Sequence, residues 1–239
     1  MTAPLVTDSF PCFADARCAL AARTAPGSGN ASRRVLLRAA ALVLAGLALG
    51  GCALVDKPVR PVVYDFGPGV TAGAPAAPVS PVLLLQEVEA GSALDSTAVL
   101  FRLAYADVQQ LQPYAQARWS MAPAQLLRQR LRDTLSRGAT VLAPGEGAMG
   151  GSSIPTQILH VELEEFSQVF EAPERSMGLV RVRATLLRGG VGGDKLLGQR
   201  SFVAQRPAPS ADAPGGVRAM TAACAAVVED LQQWLTTLQ

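Results

Sequence analysis

Histidine, cysteine and aromatic residues are scarce in this chain of 239 residues. It contains a single histidine, His160, four cysteines and only 5% aromatic residues. One histidine cannot build a histidine-rich metal site or a proton relay between two histidines. The low aromatic content predicts a core made mainly of leucine, valine and alanine side chains.

The motifs that suggest catalysis lack the surroundings that catalysis needs. Gly145–Gly150 matches the letters of a glycine-rich nucleotide loop, but a strand pattern follows instead of the helix whose N-terminus would bind pyrophosphate. Ser152 and Ser153 are the candidate hydrolase nucleophiles, and neither lies in a G-x-S-x-G sequence or has partner residues. The sequence therefore predicts no catalytic, cofactor-binding or metal-binding residues, and a protein that is not an enzyme.

An apolar run near the N-terminus has the features of a cleaved export signal. Its parts, in order, are three arginines, an apolar stretch, a small pair and a cysteine: Arg33, Arg34, Arg38, Ala39–Leu49, Gly50, Gly51 and Cys52. The stretch has the length of an export signal and is shorter than the roughly 17–25 residues of a transmembrane helix. Leu49-Gly50-Gly51-Cys52 resembles a bacterial lipobox. The resemblance implies cleavage between Gly51 and Cys52, a diacylglycerol thioether on Cys52, and acylation of the new amine by a fatty acid such as palmitate.

A buried helix that ends in Gly50-Gly51, with Cys52 packed as a small apolar side chain, is the alternative interpretation. The arginines before the run and the proline-rich stretch after it favour the export signal. Ser32–Arg38 in turn resembles a twin-arginine export motif, for which an ordinary basic segment is the alternative, so the sequence leaves the export route open.

The lipobox divides the chain into a leader and a mature protein. Residues 1–51 are predicted to be the leader, with a low-complexity extension before a signal peptide at about 32–51. Residues 52–61 form a lipidated tether, and residues 62–239 form a single periplasmic domain with a flexible linker at 67–81. The mature part has a formal charge of −1. A nearly neutral protein lacks the positive charge that nucleic-acid binding requires.

The same division decides how the cysteines are used. Cys12 and Cys18 fall in the predicted leader, and the lipobox resemblance assigns Cys52 to the lipid. Cys224 then has no partner, and the mature protein is predicted to contain no disulfide.

Hydrophobic periodicity predicts groups of strands that alternate with two helices. The expected elements are strands at 62–66, 82–88, 98–103 and 111–119 with a hairpin at 106–110, a helix at 123–137 capped by Ser120, strands at 157–170, 177–187 and 196–205, and a helix at 214–238. Glu162, Glu164 and Glu165 are interpreted as a solvated face of one strand rather than as an acid–base pair. This order predicts an α+β fold, with a largely antiparallel sheet and two amphipathic helices packed on one face.

From residue 62 to Trp234 the chain resembles the ABC-type transport auxiliary lipoproteins. These are outer-membrane lipoproteins that accompany MCE-domain lipid-transport proteins, including the paraquat-inducible type. The resemblance rests on the order of several features: the lipobox at Cys52, Tyr64 in the first strand, a proline- and alanine-rich linker, Leu94-Asp95 before Val99–Arg102, Tyr114 before Trp119, the helix that follows directly, paired long strands and a C-terminal amphipathic helix.

The resemblance implies a non-catalytic protein that is held by lipid on the periplasmic face of the outer membrane. Ala53 follows the lipidated cysteine in place of the aspartate associated with inner-membrane retention. The implied partners are an MCE-domain protein or the subunits of an ABC transporter, and a homo-oligomer stays open. The alternatives are an outer-membrane assembly lipoprotein of the lipopolysaccharide-insertion type, and a lipoprotein hydrolase that uses Ser152 or Ser153.

Overall fold

A computed structural model describes residues 59–68, 82–146, 157–190 and 193–238. In these ranges the chain forms, in order, β1 (Val62–Tyr64), β2 (Val82–Ala90), a 3₁₀ turn (Ser92–Leu94), β3 (Ala98–Leu103), β4 (Asp107–Trp119), α1 (Pro123–Leu135), β5 (Thr140–Leu142), β6 (Gln157–Ala172), β7 (Arg175–Arg188), β8 (Lys195–Pro207) and α2 (Ala213–Thr236). The predicted order of strands, helix, strands, helix is confirmed.

The sheet is organised around β6. One edge of β6 pairs antiparallel with β7 along almost its whole length, and β7 pairs antiparallel with β8. The other edge has two parallel partners, β2 alongside residues 157–163 and β3 alongside residues 168–170. β2 continues to parallel β5, and β3 continues to antiparallel β4 and then to parallel β1. The sheet therefore branches on this side of β6 between Leu163 and Gln168, and we call this gap the fork.

The predicted α+β class is confirmed, with a mostly antiparallel but mixed sheet. The longest pairings, β6 with β7 and β7 with β8, are antiparallel, and the parallel pairings are short. Helix α2 packs on β6, β7 and β8, helix α1 packs on β2 and β5, and the two helices contact each other. Both helices contribute to one hydrophobic core.

Alternation along the long strands builds that core. In β6, Leu159, Val161 and Leu163 are buried, whereas His160 and Glu162 are exposed, as their spacing predicts. The apolar stripe of α2 covers this face, with these residues buried: Val217, Met220, Cys224, Val227, Leu231 and Trp234. Within the described ranges no helix is both long enough and apolar enough to cross a bilayer.

The start of α1 differs from the prediction. The N-cap is Ala122, which makes no side-chain cap hydrogen bond, and Pro123 occupies the first turn. Ser120 was expected to cap this helix, and that prediction is wrong. Its N–H instead donates to the Tyr64 carbonyl at 2.7 Å, which continues the β1–β4 pairing beyond the strand ends. The helix ends at Leu135 and not at Arg137.

Two strand boundaries also differ from the prediction. β4 begins at Asp107, so the turn that joins it to β3 is tighter than the expected hairpin at 106–110, and the Ala106 N–H donates to the Leu103 carbonyl at 2.9 Å. β1 stops at Tyr64 because the following residues turn: the Gly67 N–H donates to Asp65 Oδ1 at 2.7 Å, and Gly67 has φ +73°. A side chain at Gly67 would strain that backbone.

Candidate functional site

The predicted lipobox and its lipid-bearing cysteine lie outside the described residues. These are Leu49, Gly50, Gly51 and Cys52. Ser152 and Ser153, the candidate nucleophiles, also lie outside them.

Only the first two residues of the glycine-rich loop Gly145–Gly150 are described. Gly145 has φ +88°, and the Glu146 carboxylate accepts the Ala143 N–H at 2.7 Å and pairs with Arg132 at 3.0 Å. The backbone hydrogen bond and the arginine charge lower the pKa of Glu146. These contacts close a turn after β5.

The fork brings charged residues of β3 and β6 together. A cleft of about 290 Å³ lies there, lined by Gly91, Ala93, Leu94, Arg102, Leu111 and Glu162–Glu165. A bulge in β6 shifts its register to β7 between Leu163 and Glu165. Strict alternation without a bulge would turn Glu165 into the core; because Glu164 bulges out of the pairing, Glu165 stays on the polar face and Phe166 is buried.

Arg102 and Glu165 form the central ion pair of the fork. Arg102 Nη2 lies 3.0 Å from Glu165 Oε2, and Arg102 Nε donates to Glu165 Oε1 at 3.4 Å. The Ser167 hydroxyl donates to Glu165 Oε1 at 2.6 Å. The two charged side chains are only 20% and 16% exposed. This two-point contact ties β3 to β6 where the backbone pairing is interrupted.

The other glutamates of this face are also paired. Arg183 of β7 contacts Glu164 through Nη2 and lies 3.9 Å from Glu162 through Nη1. His160 lies in a neighbouring cleft of about 190 Å³ with Glu87, Glu162 and Arg183 among its lining residues. Arg183 thus pairs with glutamates across the strands of this face. Of the three glutamates predicted to form a solvated face, Glu162 is 52% exposed, whereas Glu164 and Glu165 are only 17% and 16% exposed, so the prediction holds for Glu162 alone.

A buried polar chain lies on the opposite, helix-covered face. The Tyr114 hydroxyl donates to Gln168 Oε1 at 2.8 Å, and Gln168 Nε2 donates to the Ser176 hydroxyl oxygen at 2.7 Å. Gln168 is fully buried. Burial and the nearby charge of Asp212 raise the pKa of Tyr114 to about 12, so the phenol stays protonated and donates.

Aromatic side chains connect β1 to the core beside the fork. Phe66 stacks on Phe166 with ring centres 5.9 Å apart and meets Trp119 edge-on at 5.7 Å. Arg130 Nη2 of α1 donates to the Phe66 carbonyl at 2.8 Å, and the guanidinium lies over the Phe66 ring. A cleft of about 330 Å³ adjoins this contact, with Asp65 and Arg130 among its lining residues.

Cys224 is a buried free thiol on the apolar face of α2. Burial raises the pKa of Cys224 to about 12, although the charge of Arg130 acts against the shift. A thiol so protonated is a poor nucleophile. Cys224 is therefore an inert packing residue, and it is free, as the sequence predicts. In the described part of the chain, no three His, Cys, Asp or Glu side chains are grouped as metal ligands would be.

Sequence reasoning missed the fork and the polar chain, although both leave a signal. Arg102 is a single charge inside the apolar strand segment Val99–Leu103, which indicates a partner of opposite charge. Ser167-Gln168 interrupts an alternating apolar strand, and a buried polar residue there requires hydrogen-bond partners. The bulge at Glu164 has no such signal, because two adjacent glutamates also fit an ordinary exposed strand.

Comparison with known proteins identifies the family of this fold. The family model described as "ABC-type transport auxiliary lipoprotein component" matches residues 64–232. No functionally curated protein matches the chain. Two crystal structures share the fold. Protein XCC0632 from Xanthomonas campestris, a DUF330 protein, has a TM-score of 0.57 at 18% identity, over 74% of this chain and 96% of its own. An uncharacterized protein has a TM-score of 0.52 at 16% identity, over 74% and 99%.

Proposed function

Because the chain belongs to the family of ABC-type transport auxiliary lipoprotein components, we propose that it is a non-catalytic, lipid-anchored component of an ABC- and MCE-type system that moves lipids between membranes. The observation that carries this proposal is the extent of the family match. Residues 64–232 begin in β1 and end inside α2. The family description therefore applies to the whole folded domain, and not to one motif within it.

The charged side chains at the fork are occupied in ion pairs with each other. This supports a role in binding a partner rather than in catalysis. At the fork, Arg102 is bound to Glu165, and Arg183 is bound to Glu162 and Glu164. The hydroxyl of half-buried Tyr114 donates to the side chain of buried Gln168. These groups stabilise a rigid surface, and rigidity is what an adaptor needs to hold a partner in one orientation.

Location follows from the proposed lipid on Cys52. Ala53 after the cysteine supports transfer to the outer membrane, with the domain on the periplasmic face. We expect the domain there to contact an MCE-domain protein or transporter subunits that deliver or retrieve lipid. Lipid chains contribute about 0.8 kcal/mol per buried CH₂, so three of them hold the protein durably.

Crosslinking in whole cells tests this function. A photoactivatable residue is placed at Ser201, on the polar sheet face, or at Glu229, on the outer surface of α2; both positions are exposed. Crosslinked partners are then identified. We expect an MCE-domain protein or an ABC transporter subunit from at least one position. Recovery of only lipopolysaccharide-assembly proteins would overturn the proposal and favour an assembly lipoprotein. The same residue at buried Leu131 is the control and should capture no partner.

A further inference from the structure

We propose that the end of the sheet formed by the β3–β4 hairpin faces the bilayer, and that Tyr105 and Val108 contact its headgroup region. This orientation rests on the proposed lipid at Cys52. It adds a specific membrane-contact surface to the anchor. The occupant of the surface is the membrane in which the anchor sits.

Two apolar side chains project from the hairpin. Tyr105 in the turn is 49% exposed, and Val108 at the start of β4 is 57% exposed. Tyrosine has an apolar ring and a polar hydroxyl, and it is enriched where hydrocarbon meets water at membrane surfaces. Exposed apolar side chains paired on one projecting turn suit the boundary between headgroups and acyl chains.

The hairpin is held rigidly in this position. Arg102 Nη1 donates to the Val108 carbonyl at 3.3 Å and to the Gln109 carbonyl at 3.4 Å, while the rest of its guanidinium is bound to Glu165. The Gln109 N–H donates to Asp107 Oδ1 at 2.9 Å. These hydrogen bonds fix the backbone of the hairpin. Little conformational entropy is therefore lost when Tyr105 and Val108 contact the membrane.

The direction of β1 allows the proposed anchor to reach the hairpin side. β1 runs parallel to β4, with Val62 beside Ala117. The chain before Val62 therefore approaches from the side on which β4 begins. β4 bulges against β3: Leu103 pairs with Asp107 and Ala98 pairs with Arg118, so this part of β4 lies alongside only five residue steps of β3, about 17 Å at strand spacing. Cys52 lies ten residues before Val62, and an extended chain of that length spans about 35 Å. The anchor can thus reach the level of the hairpin tip.

A fluorescent probe at the hairpin tests the orientation. The lipidated Tyr105→Cys protein is labelled with the environment-sensitive dye NBD and reconstituted into vesicles of phosphatidylethanolamine and phosphatidylglycerol. Labelling is selective because Cys224 is buried and Cys52 carries the lipid. Leu196→Cys is the matched control: Leu196 is apolar and 58% exposed, but it lies at the opposite end of the sheet, beside Leu187.

In vesicles we expect blue-shifted emission from the probe at position 105, at least twofold stronger quenching by spin-labelled lipid than at position 196, and water-like emission at position 196. Equal, water-like emission from both positions, on protein that floats with the vesicles, would overturn the orientation but leave the anchor intact. A lipid-like signal at position 196 alone would reverse the orientation. Protein that fails to float would contradict the anchor itself, and with it the proposed function.

Discussion

Gly216 in the first turns of α2 packs directly on the side chain of Gln168 in β6. A Cβ atom on Gly216 would lie 1.9 Å from Gln168 Oε1, the same oxygen that accepts the Tyr114 hydroxyl. Gly178 of β7 makes a similar approach, because its Cβ would lie 2.3 Å from the Met220 backbone nitrogen. The buried polar chain therefore sets the distance between the sheet and the helix that covers it.

Gly216→Ala should destabilise the domain by about 1–3 kcal/mol, because the new methyl group displaces Gln168 from its hydrogen bonds. Helix propensity alone predicts the opposite, a gain of about 1 kcal/mol. Urea unfolding measures the difference. Gly138→Ala is the control, since nothing lies within 4 Å of a Cβ there, and its free energy of unfolding should change by less than about 0.5 kcal/mol.

Arg102→Gln should weaken the fork, since it leaves the mostly buried Glu165 carboxylate without its cation. We expect a loss of about 1–3 kcal/mol, between the values for exposed and for buried ion pairs. Arg175→Gln removes an ion pair whose side chains are 73% and 43% exposed, and it should cost less than about 1 kcal/mol. Equal losses in denaturant unfolding would show that the fork pair has no special role.

Alkaline pH should destabilise the protein through Tyr114. Its pKa is raised from 10.0 to about 12 in the folded state. A raised pKa means that the folded protein holds the proton more tightly, so this stabilisation is complete below pH 10 and is lost as the pH rises towards 12. Cys224 also titrates in this range, so the free energy of unfolding is compared in a Cys224→Ala background. Tyr114→Phe should reduce the fall between pH 10 and 12, and an unchanged slope would contradict the role of Tyr114.

Leu231→Asp should unfold the domain, because Leu231 is completely buried on the apolar stripe of α2. A charge there has no partner, and the expected cost exceeds about 4 kcal/mol. Circular dichroism during thermal melting checks this. Gln233→Asp introduces the same charge two residues away on the exposed side of the helix, and it should melt close to wild type.

Cys52→Ser should release the protein from membranes without changing its fold, because it removes the atom to which we propose the lipid is attached. Membrane fractionation and circular dichroism measure the two effects. Cys224→Ala is the matched control and should stay in the membrane fraction. Continued membrane association of the Cys52→Ser protein would disprove the lipobox.

The long strands and helices could be predicted because each shows a local periodicity of apolar residues. The inward faces of β6 and α2 follow from apolar residues at spacings of two and of three to four, as Leu159 and Leu231 show. The class of fold then follows from the order of the elements.

The fork could not be predicted, because strand pairing between distant segments leaves little local trace. The parallel pairing of β2 and β3 with the same edge of β6 joins residues more than 60 positions apart. The helix cap was predicted wrongly for a related reason, because it depends on contacts between distant segments. Ser120 is a residue type that often caps helices, but its N–H donates to the distant Tyr64 carbonyl and extends the β1–β4 pairing to this position, so the helix begins only at Pro123.

The short strand β1 determines how the domain bears mechanical load. A pull on its N-terminal end, along the strand axis towards the hairpin, acts to slide β1 past β4 and stretches their hydrogen bonds together instead of opening them one after another. The Ser120 N–H on the Tyr64 carbonyl and the Arg130 guanidinium on the Phe66 carbonyl lie at the far end of the strand and share the force. Tension on the N-terminus is therefore carried in shear into β4 and α1, and the domain resists being stretched away from its tether.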